Sequence, residues 1–335
     1  MATKRPASRA PQKTSGSSSA KKRSGRPGGR PAKPSAARSG NPAAASRATA
    51  RDWIAGARLR TLSLAIAPVA LGTAVAHVNA GADILIAVLC LATAVLLQIG
   101  VNYANDYSDG VRGTDAQRVG PRRLTGSGAA PARTVLTVAL VFFGLGALAG
   151  LVVVVLSGQY WLLLIGVVAI AAAWFYTGGR RPYGYAGLGE LVAFVFFGLV
   201  ATVGTTYVQI VAAPLDAWLA GVIAGLFAAA VLLVNNIRDR GQDALAGKRS
   251  LAVRLGDRPA RILFAVLIVG AYGVLAWFAA IYVWAPYVYF TLLIGAPVII
   301  IVLLARTAAE LVLALKLTSL AALLTGLALA AAIAF

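Results

Sequence analysis

From residue 61 to the C-terminus the chain is a succession of apolar stretches, most of them long enough to cross a bilayer, separated by polar breaks. A hydrocarbon core about 30 Å thick takes roughly 20 residues of helix. Backbone polar groups inside it find no water, so the chain must satisfy them itself, as helices or a closed barrel do. Runs of this length and character predict helices, at 61–79, 84–104, 133–155, 160–177, 188–211, 216–236, 262–283, 287–305 and 317–334. The fourth is short and the eighth contains Pro297; tilt and packing within a bundle accommodate both. The expected fold class is therefore an all-α polytopic membrane protein with nine transmembrane helices. Composition agrees, since charged residues are 13% of the 335 and hydrophobic ones 59%, against about 25% charged in soluble domains.

The basic residues orient this array. Of 31 Lys+Arg, 12 lie in residues 1–50, which contain no acid. Placing the N-terminus in the cytoplasm puts every other Lys and Arg on the same side. They fall up to Arg60, in 105–133, 178–187 and 237–261, and at Arg306 and Lys316. The breaks near Asn79–Asp83, Ser157–Gln159, Ala212–Leu215 and Trp284–Ala285 contain none. That is the positive-inside pattern, and it sends the C-terminus outside.

The organisation read from this is a basic cytoplasmic tail, 1–50, and a membrane domain, 51–335. The tail has almost no large apolar group, so it cannot bury enough surface to offset ordering and is expected to be disordered. It also lacks the apolar core of a signal peptide. Twelve basic charges would suit nucleic acid; ahead of a membrane domain, contact with anionic lipid is favoured, and no nucleic-acid partner is expected.

One Cys (Cys90) and one His (His77) exclude a disulfide framework and a Cys/His metal site. A bound cation would need oxygen ligands. These are concentrated in two motifs on the inner side. The first runs from Asn102 through Asn105, Asp106 and Asp109 to Asp115, where the second span emerges. The second runs Asn235-Asn236-Ile237-Arg238-Asp239, with Asp243, where the sixth emerges. On a helix, Asn105/Asp109 and Asn235/Asp239/Asp243 each share a face. Carboxylates packed together repel unless a cation lies between them. A hard, oxygen-only site suits Mg²⁺, which takes one or two carboxylates together with substrate phosphate oxygens. Arg122, Arg123, Lys248 and Arg249 could complete a diphosphate clamp, and Arg180 and Arg181 sit in a glycine-rich segment that could cap it. Either motif alone would serve equally well as solvated loop charges paired with arginine. Two matching motifs, four spans apart on one side, favour a site.

In the order and spacing of these residues, the chain resembles the UbiA superfamily of intramembrane aromatic prenyltransferases over about 51–335. The carrying motifs are Asn105–Asp115, Tyr176–Gly179 with Pro182–Glu190, and Asn235–Asp239 with Ala246–Gly256. Within the superfamily it is most similar to the 1,4-dihydroxy-2-naphthoate polyprenyltransferases (MenA type). The resemblance implies a nine-helix UbiA-type bundle in a bacterial cell membrane, with a Mg²⁺-dependent site on the cytoplasmic side. The substrates would be polyprenyl diphosphate and 1,4-dihydroxy-2-naphthoate, and the product, after loss of diphosphate and CO₂, demethylmenaquinone. It carries metal and catalytic roles onto Asn105, Asp109, Asp239 and Asp243. The superfamily's frequent third acid, four residues after Asp109, is Gly113 here; Asp115 takes its place. Asn102, Asp106, Tyr183 and Asn235 are expected to shape the substrate site. Other acceptors (4-hydroxybenzoate, homogentisate, haem, chlorophyllide) remain open at this point, as does a cation-coupled transporter. The transporter would place its acids near mid-span, whereas these lie at the inner ends.

Overall fold

A computed structural model describes residues 47–79, 81–114 and 123–335. The tail up to residue 46, Asp115 and Arg122 lie outside the described residues.

The architecture is all-helical. Among the described residues eight helical segments are long and apolar enough to cross a membrane: Ala50–Val78, Ile84–Arg112, Ala132–Ser157, Gly189–Ile210, Leu215–Leu245, Asp257–Ile281, Ala285–Leu304 and Ala308–Ala334. The expected fourth span is a shorter apolar helix, α5 (Leu162–Phe175, 14 residues). At 1.5 Å per residue it is about 21 Å long, short of a 30 Å core. The two helices bearing the acidic motifs, α3 (Ile84–Arg112) and α8 (Leu215–Leu245), run eight or nine residues beyond the spans drawn from hydropathy. Their polar ends stay helical because their side chains find partners within the protein, so the motifs do occupy helix faces.

Local signals set the boundaries. Before α1 (Ala50–Gly56), Thr49 Oγ1 accepts from the Asp52 N–H while the Asp52 carboxylate accepts from the Thr49 N–H, a reciprocal cap. Arg58, in a left-handed conformation, turns the chain into a 3₁₀ turn, Leu59–Leu62, that leads into α2 (Ser63–Val78). Asp83 caps α3 by accepting from the Ile86 N–H, and Gly113 ends it at φ +75°, a conformation that strains any residue with a Cβ. Thr307 and Glu310 cap α12 (Ala308–Ala334) as Thr49 and Asp52 cap α1.

In the packing, α3 lies along α4 (Ala132–Ser157), and α2 lies against α12, α8 and α7 (Ala201–Ile210). The most enclosed helix, α8, also meets α10 (Asp257–Ile281), α12 and a π-helical segment, Phe194–Val200, between α6 (Gly189–Ala193) and α7. The short α9 (Leu251–Leu255) follows α8, and α11 (Leu292–Leu304) packs between α10 and α12. Large apolar side chains such as Leu164, Val167, Leu293 and Leu304 face outward, as a lipid-facing surface requires. Trp161, Trp218, Trp284 and Tyr287, at or near the breaks that hold no basic residue, are all exposed, as interfacial aromatics are.

The π segment touches α8 backbone to backbone. A Cβ on Gly198 would lie 2.4 Å from Gly225 Cα and 2.6 Å from Gly221 O. Neither neighbour is a movable side-chain tip. Gly198→Ala is therefore expected to lower stability by about 1–3 kcal/mol, the usual cost of overpacking, whereas Gly204→Ala, which meets nothing within 4 Å, is expected to be neutral. Thermal unfolding of the two purified variants in detergent checks the contrast.

Candidate active site

A cavity of about 920 Å³ opens between the helices. Its body is apolar, walled by side chains such as Leu97, Val153, Ile165, Phe196, Phe197 and Val208. The π segment contributes Phe196, Phe197 and Val200 to that wall, while its other side lies on α8. One end is polar and is built from both acidic motifs.

On α3, Asn102, Asn105, Asp106 and Asp109 line the cavity, one face at helical spacing. Each is buried and each is held. Asn102 Nδ2 donates to Ala57 O at 2.9 Å and lies 3.4 Å from Thr61 Oγ1, pinning the 3₁₀ turn to α3. Asn105 Oδ1 accepts from Thr177 Oγ1 at 2.7 Å. The Asp106 carboxylate accepts from two backbone amides, Leu124 N–H at 3.0 Å and Thr125 N–H at 2.8 Å. Asp109 Oδ1 accepts from the Tyr185 hydroxyl at 2.9 Å.

On α8, Asn235 lines the cavity, as does its neighbour Arg238. The Arg238 guanidinium forks onto the Asp239 carboxylate, both bonds 2.7 Å, and donates to Asn235 Oδ1 at 2.9 Å. Arg238 and Asp239 expose only 4% and 8% of their side chains. One turn on, Asp243 Oδ1 pairs with Lys248 Nζ at 3.5 Å. Asn236, on the far side of α8, donates to Glu190 Oε1 at 2.8 Å. Glu190 is thus a buried contact between α6 and α8.

Tyr185 joins the motifs. Its hydroxyl serves Asp109, its ring lies 5.5 Å from Lys248 Nζ and 5.5 Å from the Arg112 guanidinium, and its carbonyl accepts from the Arg249 N–H. Burial, with the Asp109 charge close by, raises the Tyr185 hydroxyl above the ordinary phenol range, so it stays a protonated donor. Burial likewise raises Tyr183, whose hydroxyl donates to Ala172 O. Arg112 closes the same layer by donating to the carbonyls of Thr177 and Gly179.

The expected residues thus fall into groups. Asn102, Asn105, Asp106, Asp109, Arg123, Tyr183, Asn235 and Lys248 line the cavity; Asp239 and Asp243 stand immediately behind, on Arg238 and Lys248. Arg180, Arg181 and Arg249 are exposed and do not line it. Sequence reasoning passed over Arg58, Arg60, Arg238 and Lys316, which also line it. The signal for Lys316 was its isolation, one lysine in an otherwise apolar stretch. For Arg238 it was a cation placed inside the second motif itself.

Among the described residues no three His, Cys, Asp or Glu side chains converge as a metal site. The donor set nevertheless fits a hard cation shared with an anionic substrate. The oxygens belong to carboxylates and amides, and Asp243 Oδ2 and Ser250 Oγ are buried without a well-formed hydrogen bond.

The UbiA prenyltransferase family pattern matches residues 65–320. The chain belongs to that family. It is 48% identical over 298 residues, 85% of its length and 97% of the relative's, to the 1,4-dihydroxy-2-naphthoate octaprenyltransferase of Mycobacterium tuberculosis. It is 40% identical to that of Escherichia coli, over 68% of this chain and 75% of that one. Solved structures share the fold. A UbiA homolog from Archaeoglobus fulgidus bound to GPP and Mg²⁺ aligns with TM-score 0.60 at 15% identity, covering 84% of this chain and 99% of that one. The apo structure of a homolog from Aeropyrum pernix aligns at 0.63 with 18% identity, over 81% and 96%.

Asp106 spends both oxygens on the 124–125 backbone. Asp106→Ala should therefore cost about 1–3 kcal/mol, the penalty for stranding buried donors. Asp106→Asn should cost less, because its carbonyl still accepts one of the two bonds. Thermal unfolding, with limited proteolysis of the segment after Arg123, would show it; a fully stable Asp106→Ala protein would remove the loop-clamp role.

Proposed function

We propose that this chain transfers a polyprenyl group from polyprenyl diphosphate to 1,4-dihydroxy-2-naphthoate, releasing diphosphate and CO₂ and giving the hydroquinone form of demethylmenaquinone for menaquinone synthesis. One observation carries the reading: a single cavity joins two Asn/Asp motifs and a basic clamp to an apolar chamber. An amphiphile with a diphosphate head and a hydrocarbon tail has that division. Identity to 1,4-dihydroxy-2-naphthoate octaprenyltransferases over most of the chain supports the aromatic acceptor.

Asn105, Asp109, Asp115, Asp239 and Asp243 would hold Mg²⁺ against the diphosphate. Bound there, Mg²⁺ supplies the charge that lets the allylic C–O bond break with its electron pair passing to the diphosphate. Tyr185 and Thr177 fix the directions of Asp109 and Asn105. Lys248 and Arg238 add positive charge beside the leaving group, Arg123 lines the cavity from the loop after α3, and Arg122 is assigned to the same clamp. The aromatic walls at Phe196 and Phe197 exclude water from the allylic carbon. The electron-rich ring then bonds to that carbon, and the ring–carboxylate bond breaks, returning its electrons to the ring as CO₂ leaves. Asn102, Tyr183 and Asn235 border the space in which the ring would lie.

Purified protein, incubated with 1,4-dihydroxy-2-naphthoate or 4-hydroxybenzoate and a series of prenyl diphosphates with and without Mg²⁺, gives the direct test by product mass. Asp109→Asn and Asp239→Asn should each lose on the order of 10²-fold in rate, since metal stabilisation of developing charge is worth several kcal/mol. The double variant should lose far less than the product of the two losses, because residues acting as one unit are not additive. Normal turnover by either single variant at low Mg²⁺ would end the catalytic reading of its motif.

The orientation follows the positive-inside pattern, with the N-terminus and the cavity's polar end in the cytoplasm, nine crossings and the C-terminus outside. In a chain with Cys90 replaced, Arg51→Cys and Ala246→Cys should react with an impermeant thiol reagent only from the cytoplasm, and Phe335→Cys only from outside. Labelling of Ala246→Cys from outside would invert the topology. The basic tail is assigned to anionic lipid on the cytoplasmic leaflet.

A further inference from the structure

The charge around the cavity is not balanced. Among the described residues, six cationic side chains line it (Arg58, Arg60, Arg123, Arg238, Lys248 and Lys316) against two carboxylates, Asp106 and Asp109. Arg238 and Lys248 already have acidic partners on α8. Arg60 and Lys316 make no side-chain hydrogen bond or ion pair among the described residues. Lys316 is the more unusual of the two. It lies eight residues past the start of α12, about 12 Å along the helix axis, within a segment apolar enough to cross the membrane. Lys316 and Arg60 are both exposed where they line the cavity, and an ionisable residue on a spanning helix marks a functional site by default. Its face of α12, with Val312, Leu315 and Ser319, borders the cavity.

These two cations are carried on elements other than the motif helices α3 and α8. The 3₁₀ turn carrying Arg60 packs against both α12 and α3. On α3 it is pinned at Asn102 and Gln98, through Ala57 O and Thr61 Oγ1. Asn102 lies one to two helical turns further into the bundle than Asn105 and Asp109. A second electropositive patch therefore flanks the cavity between the diphosphate end and the apolar chamber, where the bond to the prenyl group would form.

We propose that Arg60 and Lys316 form a carboxylate subsite that binds the acid group of the aromatic acceptor and so sets its ring beside the prenyl carbon. This rests on the acceptor being an aromatic acid. A flexible ammonium and a planar guanidinium from two different elements suit a carboxylate that must be held in one orientation and then leave as CO₂.

The test is binding, with full-length protein in neutral detergent, without anionic lipid and under anaerobic conditions. Naphthalene fluorescence would follow 1,4-dihydroxy-2-naphthoate and its decarboxylated counterpart, 1,4-dihydroxynaphthalene. The wild-type protein should bind the acid more tightly by roughly tenfold or more, as hydrogen bonds to charged groups warrant. Lys316→Gln and Arg60→Gln should each remove most of that preference, leaving 1,4-dihydroxynaphthalene binding and the KM for prenyl diphosphate unchanged, and Lys316→Arg should restore it. No preference in the wild type, or equal weakening of both ligands in Lys316→Gln, would overturn the proposal. So would an effect of the variants confined to vesicles containing anionic lipid, which would make the pair a headgroup contact. If the protein prenylates 4-hydroxybenzoate instead, the naphthoate reading falls. The subsite then stands if Lys316→Gln loses preference for 4-hydroxybenzoate over phenol, and falls if it does not.

Discussion

A carboxylate at the mouth of a membrane cavity survives only if something compensates its loss of water, and the polar layer is organised around that requirement. Asp106 receives two backbone amides, Asp109 a tyrosine hydroxyl, Asp239 an arginine fork and Asp243 a lysine. The partners come from four places in the chain: the loop after α3, the segment after α5, α8 itself and the turn after α8. Satisfying the acids therefore docks these segments on one another. Such buried pairs add little net stability, because desolvation offsets their attraction, yet breaking one is costly. They specify position.

The same layer explains the length of α3 and α8. Hydropathy alone ends both helices where the polar residues begin. In the structure they continue for two further turns, since Asn105 and Asp109 bond sideways to other segments, Asn235 and Asp239 bond to the Arg238 side chain of the same helix, and the helical backbone stays intact. Below them, close packing makes the room. The backbone contact between Gly198 and Gly225 draws the π segment onto α8, and the extra residue in a π turn re-aims the side chains that follow. That is how Phe196, Phe197 and Val200 come to face the chamber.

Much of this was legible beforehand. Apolar stretches marked the helices, and four-residue spacing put the acids on common faces, because both signals depend only on helix geometry and on water's absence from the bilayer. The long-range partners were not legible. Nothing in the spacing of Tyr185 or Thr177 says that they meet Asp109 and Asn105 from more than 70 residues away. Arg180 and Arg181 were assigned to a cap over the site because they lie in a glycine-rich segment, but both are exposed and do not line the cavity, and Arg112 reaches the carbonyls of that segment instead. The fourth span shows the opposite limit: hydropathy counts apolar residues, and α5 ends where Tyr176–Gly178 is drawn inward to serve the polar layer.

Charge placement shows why the chamber and the polar end belong to one site. The positive charges that orient a membrane protein need only lie near the cytoplasmic surface, and exposed residues such as Arg180, Arg181 and Arg249 are enough for that. Arg238 and Lys316 are different. One is buried in a fork with its neighbour, the other stands well inside an apolar helix, and both border the cavity. Arg238 carries a desolvation cost that a surface arginine would avoid, and its fork with Asp239 offsets it. Their common property is a cavity with cationic side chains toward its polar end and an apolar body. A neutral hydrocarbon gains nothing from the first feature, and a soluble anion gains nothing from the second. Only an amphiphilic anion gains from both.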